Sequence, residues 1–191
     1  MTQEIGRSET TPPGMNLGEI VLVLEKMGRR PRRLRGYVPA DYLSNLEGVA
    51  HLDGHAWVDV SATRDRQSLR VTGCLGGRVG LECGRCLQPF FLDLDVASDR
   101  EFVAGAEPSS KGGEWEVQDE VVYLEDGIFS LRRMVEEELI LALPMTRLCR
   151  EGCAGLCTQC GADRNMGMCG CQPLGPDNPF AVLKNLGSFN P

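Results

Sequence analysis

The chain has 191 residues, 42% of them hydrophobic and 25% charged, and a formal net charge of −7. That length holds one domain with a real core plus a small appendage, and the composition is that of a folded globular chain. The longest apolar runs, Ile20–Leu24 and Leu139–Met145, fall far short of the ~20 residues of a membrane span, and the acidic balance argues against a whole surface made for phosphate.

The chain opens on a polar, acid-bearing stretch with no apolar core, unlike a signal peptide, so residues 1–16 are expected to be a disordered terminus in a cytoplasmic protein. In that reducing compartment nine cysteines favour metal over disulfides. Leu17–Leu24 has the branched apolar content of a strand. Lys26, Arg29, Arg30, Arg32, Arg33 and Arg35 follow with no acid among them. Gly28, Pro31 and Gly36 interrupt any regular helix there, so the segment reads as an exposed loop. Arg29, Arg30, Arg32, Arg33 and Arg35 are its candidate RNA contacts, set against the plainer reading of a solvated loop. Pro39–Leu46 suggests a short helix closed by Gly48.

From Val49 to Phe102 the hydrophobic period is two. Ala56, Val58 and Val60 alternate with polar or aromatic neighbours, as do Leu69 and Val71, Val79 and Leu81, and Phe90, Leu92, Leu94 and Val96. These are half-buried strands of an antiparallel sheet. Gly73, Gly76 and Gly77 suggest a bulge or turn within it. Residues 104–113 read as a loop, and Val117, Val121 and Tyr123 as a further strand. Ser130–Leu143 is the clearest helix, with Leu131, Met134, Val135, Leu139 and Ala142 on one stripe, Ser130 as N-cap and Pro144 as stop. Arg132 with Glu136 and Arg133 with Glu137 are spaced for ion pairs, and Glu136, Glu137 and Glu138 read as a solvated face. His51, Asp53 and His55 read as solvated strand residues, and Trp57 and Trp115 as packing. No phosphate-loop, dinucleotide or nucleophile-elbow fingerprint occurs, so neither an enzyme nor a small-molecule substrate is expected.

Six cysteines crowd Cys149–Cys171. Cys157-Thr158-Gln159-Cys160-Gly161 is a zinc-knuckle pattern, and Cys169-Gly170-Cys171 can complete four thiolates around one ion. Too few apolar residues lie between them to order the segment by a core, whereas metal binding contributes directly to folding. A second C-x-x-C, Cys83 and Cys86, sits between two strands at a hairpin turn. Cys149 and Cys153, four apart after the helix, can supply its other two ligands. That gives two zinc sites, Cys83, Cys86, Cys149 and Cys153, and Cys157, Cys160, Cys169 and Cys171, with Cys74 left over. The rival is one zinc on Cys83, Cys86, Cys157 and Cys160. Spacing bounds the pairing without choosing. A redox dithiol is the chemical alternative, although Cys83 and Cys86 lack the strand-then-helix setting of thioredoxin-like motifs. Beyond Cys171, Asp177-Asn178-Pro179 opens a short apolar helix with Phe180, Leu183 and Leu186 on one side. The expected architecture is α+β: an antiparallel sheet with one packed helix over residues 17–148 and a zinc module over 149–191.

The order of L-E-C-G-R-C-L-Q-P-F at Leu81–Phe90, V-E-E-E-L-I-L-A-L-P at Val135–Pro144, C-A-G-L-C-T-Q-C-G at Cys153–Gly161, Asn165, C-G-C at Cys169–Cys171 and D-N-P-F-A-V-L-K-N-L at Asp177–Leu186 resembles the YceD family. These are the bacterial large ribosomal RNA subunit accumulation proteins, with relatives in plastids. The resemblance runs over about Leu17–Leu186. It implies a non-enzymatic role in 23S rRNA accumulation and large-subunit assembly, with precursor 23S rRNA or a large-subunit ribosomal protein as partner. Some relatives lack the final cluster and carry histidines near the positions of Cys149 and Cys153, which favours the first pairing. An acidic body holding a basic ribosomal protein, with the arginines idle, is a variant of this reading, and a thiol redox protein or sensor is the alternative to it.

Overall fold

The computed structural model describes residues 14–46, 50–105, 121–124 and 126–171. The expectations for residues 1–13, Gly48, the tip of the loop at 107–113, Trp115, Val117 and the helix opened at Asp177 lie outside the described residues. Chain order gives β1 (Met15–Asn16), β2 (Val21–Val23), β3 (Arg32–Pro39), β4 (His51–Leu52), β5 (His55–Asp65), β6 (Ser68–Glu82), β7 (Pro89–Ala104), β8 (Val121–Leu124), β9 (Ile128–Ser130) and α1 (Leu131–Leu141). This is an α+β chain. Among the described residues a seven-stranded sheet runs β1-β3-β5-β6-β7-β8, with β4 also on β6, and β2 pairs with β9 apart from it.

The period-two pattern forms the middle of the sheet. β3, β5, β6 and β7 are antiparallel neighbours, while β1 on β3 and β8 on β7 are parallel, so the expected antiparallel sheet acquires parallel edges. Ala56, Val58, Val60 and Ala62 of β5, Leu69, Val71, Leu75, Val79 and Leu81 of β6 and Leu94 and Phe102 of β7 face the core. Leu131, Met134, Val135 and Leu139 of α1 are buried in the same cluster. The other sheet face keeps the polar members of each strand, as a one-sided antiparallel sheet should.

Several expectations need correction. β6 contains no bulge: it pairs without interruption from Ser68 opposite Val103 to Glu82 opposite Pro89. Its glycines serve close approach instead. A Cβ on Gly76 would stand 2.8 Å from the Trp57 ring, and Gly73 has φ +149 against the Asp59 carbonyl. The basic segment is not one loop, because Arg32, Arg33 and Arg35 lie in β3, registered against Ala62, Ser61 and Asp59. Pro31 precedes the strand, where a missing N–H costs no ladder bond, and Gly36 gives room for the β1 backbone. Residues 15 and 16 belong to the sheet rather than to a disordered terminus. Leu17–Leu24 yields only the three-residue β2 and then a 3-10 turn. Pro39–Leu46 gives two 3-10 turns, Ala40–Tyr42 and Ser44–Leu46, rather than a helix.

The helix starts as expected at Ser130, but that hydroxyl makes no cap bond. The Leu131 amide donates to the Ile20 carbonyl instead, at 3.1 Å, so tertiary contact replaces the local cap. Arg133 pairs with Glu137 at 3.0 Å as expected. The acidic run is not a solvated face. Glu136 and Glu138 are buried, and Glu138 accepts from the Ser98 hydroxyl at 2.8 Å and from Arg100 at 3.2 Å. Ser98 and Arg100 point inward from β7, so the sheet meets the helix acids with its own polar groups. This positions the end of α1, from which the chain returns to the β6–β7 turn.

Candidate metal centre

Cys83, Cys86 and the turn to Pro89 join β6 to β7. The Cys83 amide donates to the Gln88 carbonyl at 3.0 Å and the Leu87 amide to the Cys83 carbonyl at 2.9 Å. Leu87 takes φ 59 to close this turn, an unusual conformation for a leucine. Facing it, the chain after α1 folds into a second tight turn, with the Cys153 amide donating to the Arg150 carbonyl at 3.1 Å. The turns are laced together by Gly84 N–H to the Arg147 carbonyl at 2.8 Å, Leu156 N–H to the Arg85 carbonyl at 3.0 Å, and the Arg85 guanidinium to the Cys153 carbonyl at 3.0 Å. Gly155, at φ +70, lets the Arg85 carbonyl come close.

This brings Cys83, Cys86, Cys149 and Cys153 together, every sulfur within 4.8 Å of the others. Cys83 Sγ stands 3.8 Å from Cys153 Sγ and Cys86 Sγ 3.7 Å from Cys149 Sγ. Four sulfurs about 2.3 Å from a common centre at tetrahedral angles are about 3.8 Å apart, so the spacing fits a zinc-sized ion. Cys83, Cys86 and Cys153 are buried, packed with Phe90, Leu148 and Leu156. Cys157, Cys160, Cys169 and Cys171 form a separate set with the same 4.8 Å limit. Here the Gly161 amide donates to the Cys157 carbonyl at 2.9 Å, and Gly161 has φ +72. Met166 and Met168 of this segment are 88% and 100% exposed, so apolar burial contributes little to its order. Each set could hold one metal ion.

The thiols in each set have been driven apart in acidity. The Cys149 and Cys86 backbone amides pull the Cys83 thiol down to about 6, while burial and sulfur neighbours push Cys149 up to about 12. The Cys160 and Gln159 amides bring Cys157 to about 6, and the hydrogen bond with Cys160, then burial, raise Cys171 to about 12. Four packed sulfurs cannot all carry charge unaided, whereas a cation among them reverses that logic.

Cys74 belongs to neither set. It lies exposed on β6, opposite Asp59 and Ala97. The arginines are also remote. Arg32 is opposite Ala62, which is opposite Val71, eleven residues before Glu82 at the cysteine end of β6; at 3.3 Å per residue that is roughly 36 Å. Arg33 grips Asp59 with two bonds of 2.9 Å, and Arg35 lies 3.7 Å from the same carboxylate. The Arg33 hydrogen bond holds the Asp59 carboxyl below the usual range. Arg29, Arg30 and Arg32 are exposed. His51 and His55 fall on different strands, with the His55 ring against Tyr37 at 5.6 Å. In the sequence Asn165 stands out only as one of the residues that carry the family resemblance, with no role, and Asp163 not at all. The structure sets both against the cysteine turns, and no spacing rule flags an amide that acts through its own folded loop.

Among the described residues no helix is long and apolar enough to cross a membrane. No solved structure matches the chain. Residues 71–187 match the family model described as large ribosomal RNA subunit accumulation protein YceD. A protein of that name from Haemophilus influenzae is 30% identical over 88% of this chain and 96% of its own length. An uncharacterized protein of Mycobacterium tuberculosis is 32% identical over 72% of this chain and 67% of its own. A chloroplast YCED homolog of Arabidopsis thaliana is 20% identical over 68% of this chain and 47% of its own. With more than half of its length inside that model and a relative aligned nearly end to end, the chain belongs to the YceD family.

Proposed function

We propose that the chain is a non-enzymatic cytoplasmic factor, held by two zinc ions, that supports 23S rRNA accumulation and large-subunit assembly by binding precursor rRNA or a large-subunit ribosomal protein. The observation that carries the zinc reading is the presence of two four-sulfur sets, one with sulfur pairs 3.7 and 3.8 Å apart. Four protein thiolates leave no open position for a substrate, which is the pattern of a structural rather than a catalytic ion. Cys83, Cys86, Cys149 and Cys153 would fasten the sheet to the chain beyond α1. Cys157, Cys160, Cys169 and Cys171 would order a segment that has little core of its own. The ribosomal reading rests on the names carried by relatives. All five arginines are exposed; Arg29, Arg30 and Arg32 are the first candidates for phosphate contact, and Arg33 and Arg35 are partly committed to Asp59. Elemental analysis of the reduced protein should find two zinc per chain, and cells depleted of the protein should show a lowered ratio of 23S to 16S rRNA. An unchanged ratio would remove the ribosomal role, and a metal-free protein would remove the zinc.

One feature suits the redox alternative: the Cys157 thiol, at about 6 and only half-buried, is acidic enough to react at neutral pH, whereas Cys83, also at about 6, is buried. A metal ligand needs the same deprotonation. The two readings part under oxidant. A redox dithiol holds little metal and forms a Cys83–Cys86 or Cys157–Cys160 disulfide readily in the protein as purified, whereas a zinc scaffold resists until the metal is removed.

A further inference from the structure

Asn165 lies in the segment between Cys160 and Cys169, inside the C-terminal cysteine set, yet its contacts reach the other set. Its Nδ2 donates to Cys153 Sγ at 3.5 Å. Its Oδ1 accepts from the Ala154 amide at 2.8 Å and from the Arg150 guanidinium at 2.7 Å, so one side chain grips the turn on both sides of Cys153. The amide is itself aimed. Asp163 Oδ1 accepts from Asn165 Nδ2 at 2.6 Å and from the Asn165 backbone amide at 2.9 Å. Two backbone links bind the same strips of chain: the Arg164 amide donates to the Gly155 carbonyl at 2.9 Å, and Leu156 bridges Asp163. Apolar burial adds little, because Met166 and Met168 beside it are exposed; the loop's other order comes from hydrogen bonds such as Cys157 N–H to the Ala162 carbonyl at 2.8 Å and from the second set that closes its ends.

We propose that Asn165 is a positioning residue for the Cys83, Cys86, Cys149 and Cys153 site, and that through it the two sites take up metal cooperatively. The inference rests on the reading that both sets bind metal. An ion on Cys157, Cys160, Cys169 and Cys171 fixes the ends of the loop that carries Asn165. The fixed loop then presents an N–H to the Cys153 thiolate and holds Arg150–Ala154 in ligating shape. Metal in the sheet-end site is thereby favoured once the C-terminal site is filled. By thermodynamic reciprocity, metal at the sheet end strengthens the C-terminal site by the same factor. A group that orients a ligand in this way typically changes metal affinity about 10- to 100-fold.

The test is a Co(II) titration of the reduced, metal-stripped full chain against a competing chelator, read from the cobalt–thiolate absorption. Cys169→Ser leaves the sheet-end site to be read alone, and Cys83→Ser leaves the C-terminal site. Asn165→Ala is expected to weaken the sheet-end site by about 10-fold or more with Cys157, Cys160, Cys169 and Cys171 intact. In the Cys169→Ser background it should do much less, because the loop is no longer fixed. Asn165→Asp keeps the oxygen that accepts from Ala154 and Arg150 but loses the N–H groups on Cys153 and on Asp163, and sets a second carboxylate beside Asp163. It should still bind two cobalt per chain, with the sheet-end band moved to longer wavelength. This guards against Asn165→Ala merely unfolding the turn. An unmoved band in Asn165→Asp, an effect of Asn165→Ala on the C-terminal site in the Cys83→Ser background as large as that on the sheet-end site, or an effect undiminished by Cys169→Ser each overturns the coupling. A wild-type chain without cobalt–thiolate absorption overturns the metal reading itself and the coupling with it.

Discussion

At the residue scale the cysteines divide by what surrounds each sulfur. Cys83 and Cys157 receive backbone N–H groups that favour the thiolate, whereas Cys149 and Cys171 hold their protons to about 12. Cys86 is raised as well, and metal must displace these protons at any neutral pH, so binding should release protons and tighten as pH rises. Below about pH 6 Cys83 and Cys157 take up protons as well, and the fall in affinity should steepen. Chelator competition at a series of pH values between about 5 and 8 checks this; a flat profile would mean that the thiols are not the ligands. Single replacements sharpen the assignment. Cys83→Ser should release one metal equivalent and leave the other bound, with its affinity lowered by any coupling through Asn165. Cys74→Ser should release neither, since Cys74 is on the open face of β6, outside both sets. Loss of both equivalents from Cys83→Ser in metal analysis would point to a different pairing or to coupling too strong for independent sites.

At the scale of elements, what was legible in the sequence was whatever depends on local periodicity. Alternation gave β5, β6 and β7 because their inward residues, such as Val58, Val71 and Leu94, meet one buried face. The stripe Leu131, Met134, Val135 and Leu139 gave α1 for the same reason. The two C-x-x-C pairs were legible as turns, but their partners were not fixed, because the ligands meet only after the chain beyond α1 folds back over β6–β7. What failed to show locally depended on a partner far along the chain. Arg32, Arg33 and Arg35 read as a loop until Asp59 and β5 are placed beside them. Glu138 read as solvated until Ser98 and Arg100 face it from β7. That last contact has an energetic consequence. Arg100→Met would leave the Glu138 carboxylate buried with only the Ser98 hydroxyl, and removing one partner of a buried pair costs about 3 kcal/mol or more. Leu139→Ala, a large-to-small change in the same interface, should cost about 2–5 kcal/mol. Denaturant midpoints at one fixed zinc concentration would measure both. An Arg100→Met midpoint like that of wild type would show the pair to be solvated in solution.

Across the whole molecule, the two features proposed to carry function stand at opposite ends of the long β5–β6–β7 ribbon. The cysteine sets cap the β6–β7 turn, and the arginines flank the far end of β3, roughly 36 Å away along the strands. No direct contact joins them, so their energies should add. Replacing Arg29, Arg30 and Arg32 with alanine should leave two metal equivalents in place, and metal removal should not abolish phosphate contact at the arginines. If those three residues meet RNA, their loss should weaken binding to a single-stranded stretch of precursor 23S rRNA. It should also make the dependence of log affinity on log salt shallower by about 2, since each single-strand contact contributes about 0.7 to the slope. The same change at Arg33 and Arg35 should matter less for RNA, because both already face Asp59. The −7 charge makes the contrary outcome equally specific. RNA affinity and salt slope unchanged by the triple replacement, with salt-sensitive retention of a basic large-subunit ribosomal protein, would mean that the acidic surface, and not the arginine end, meets the assembling subunit.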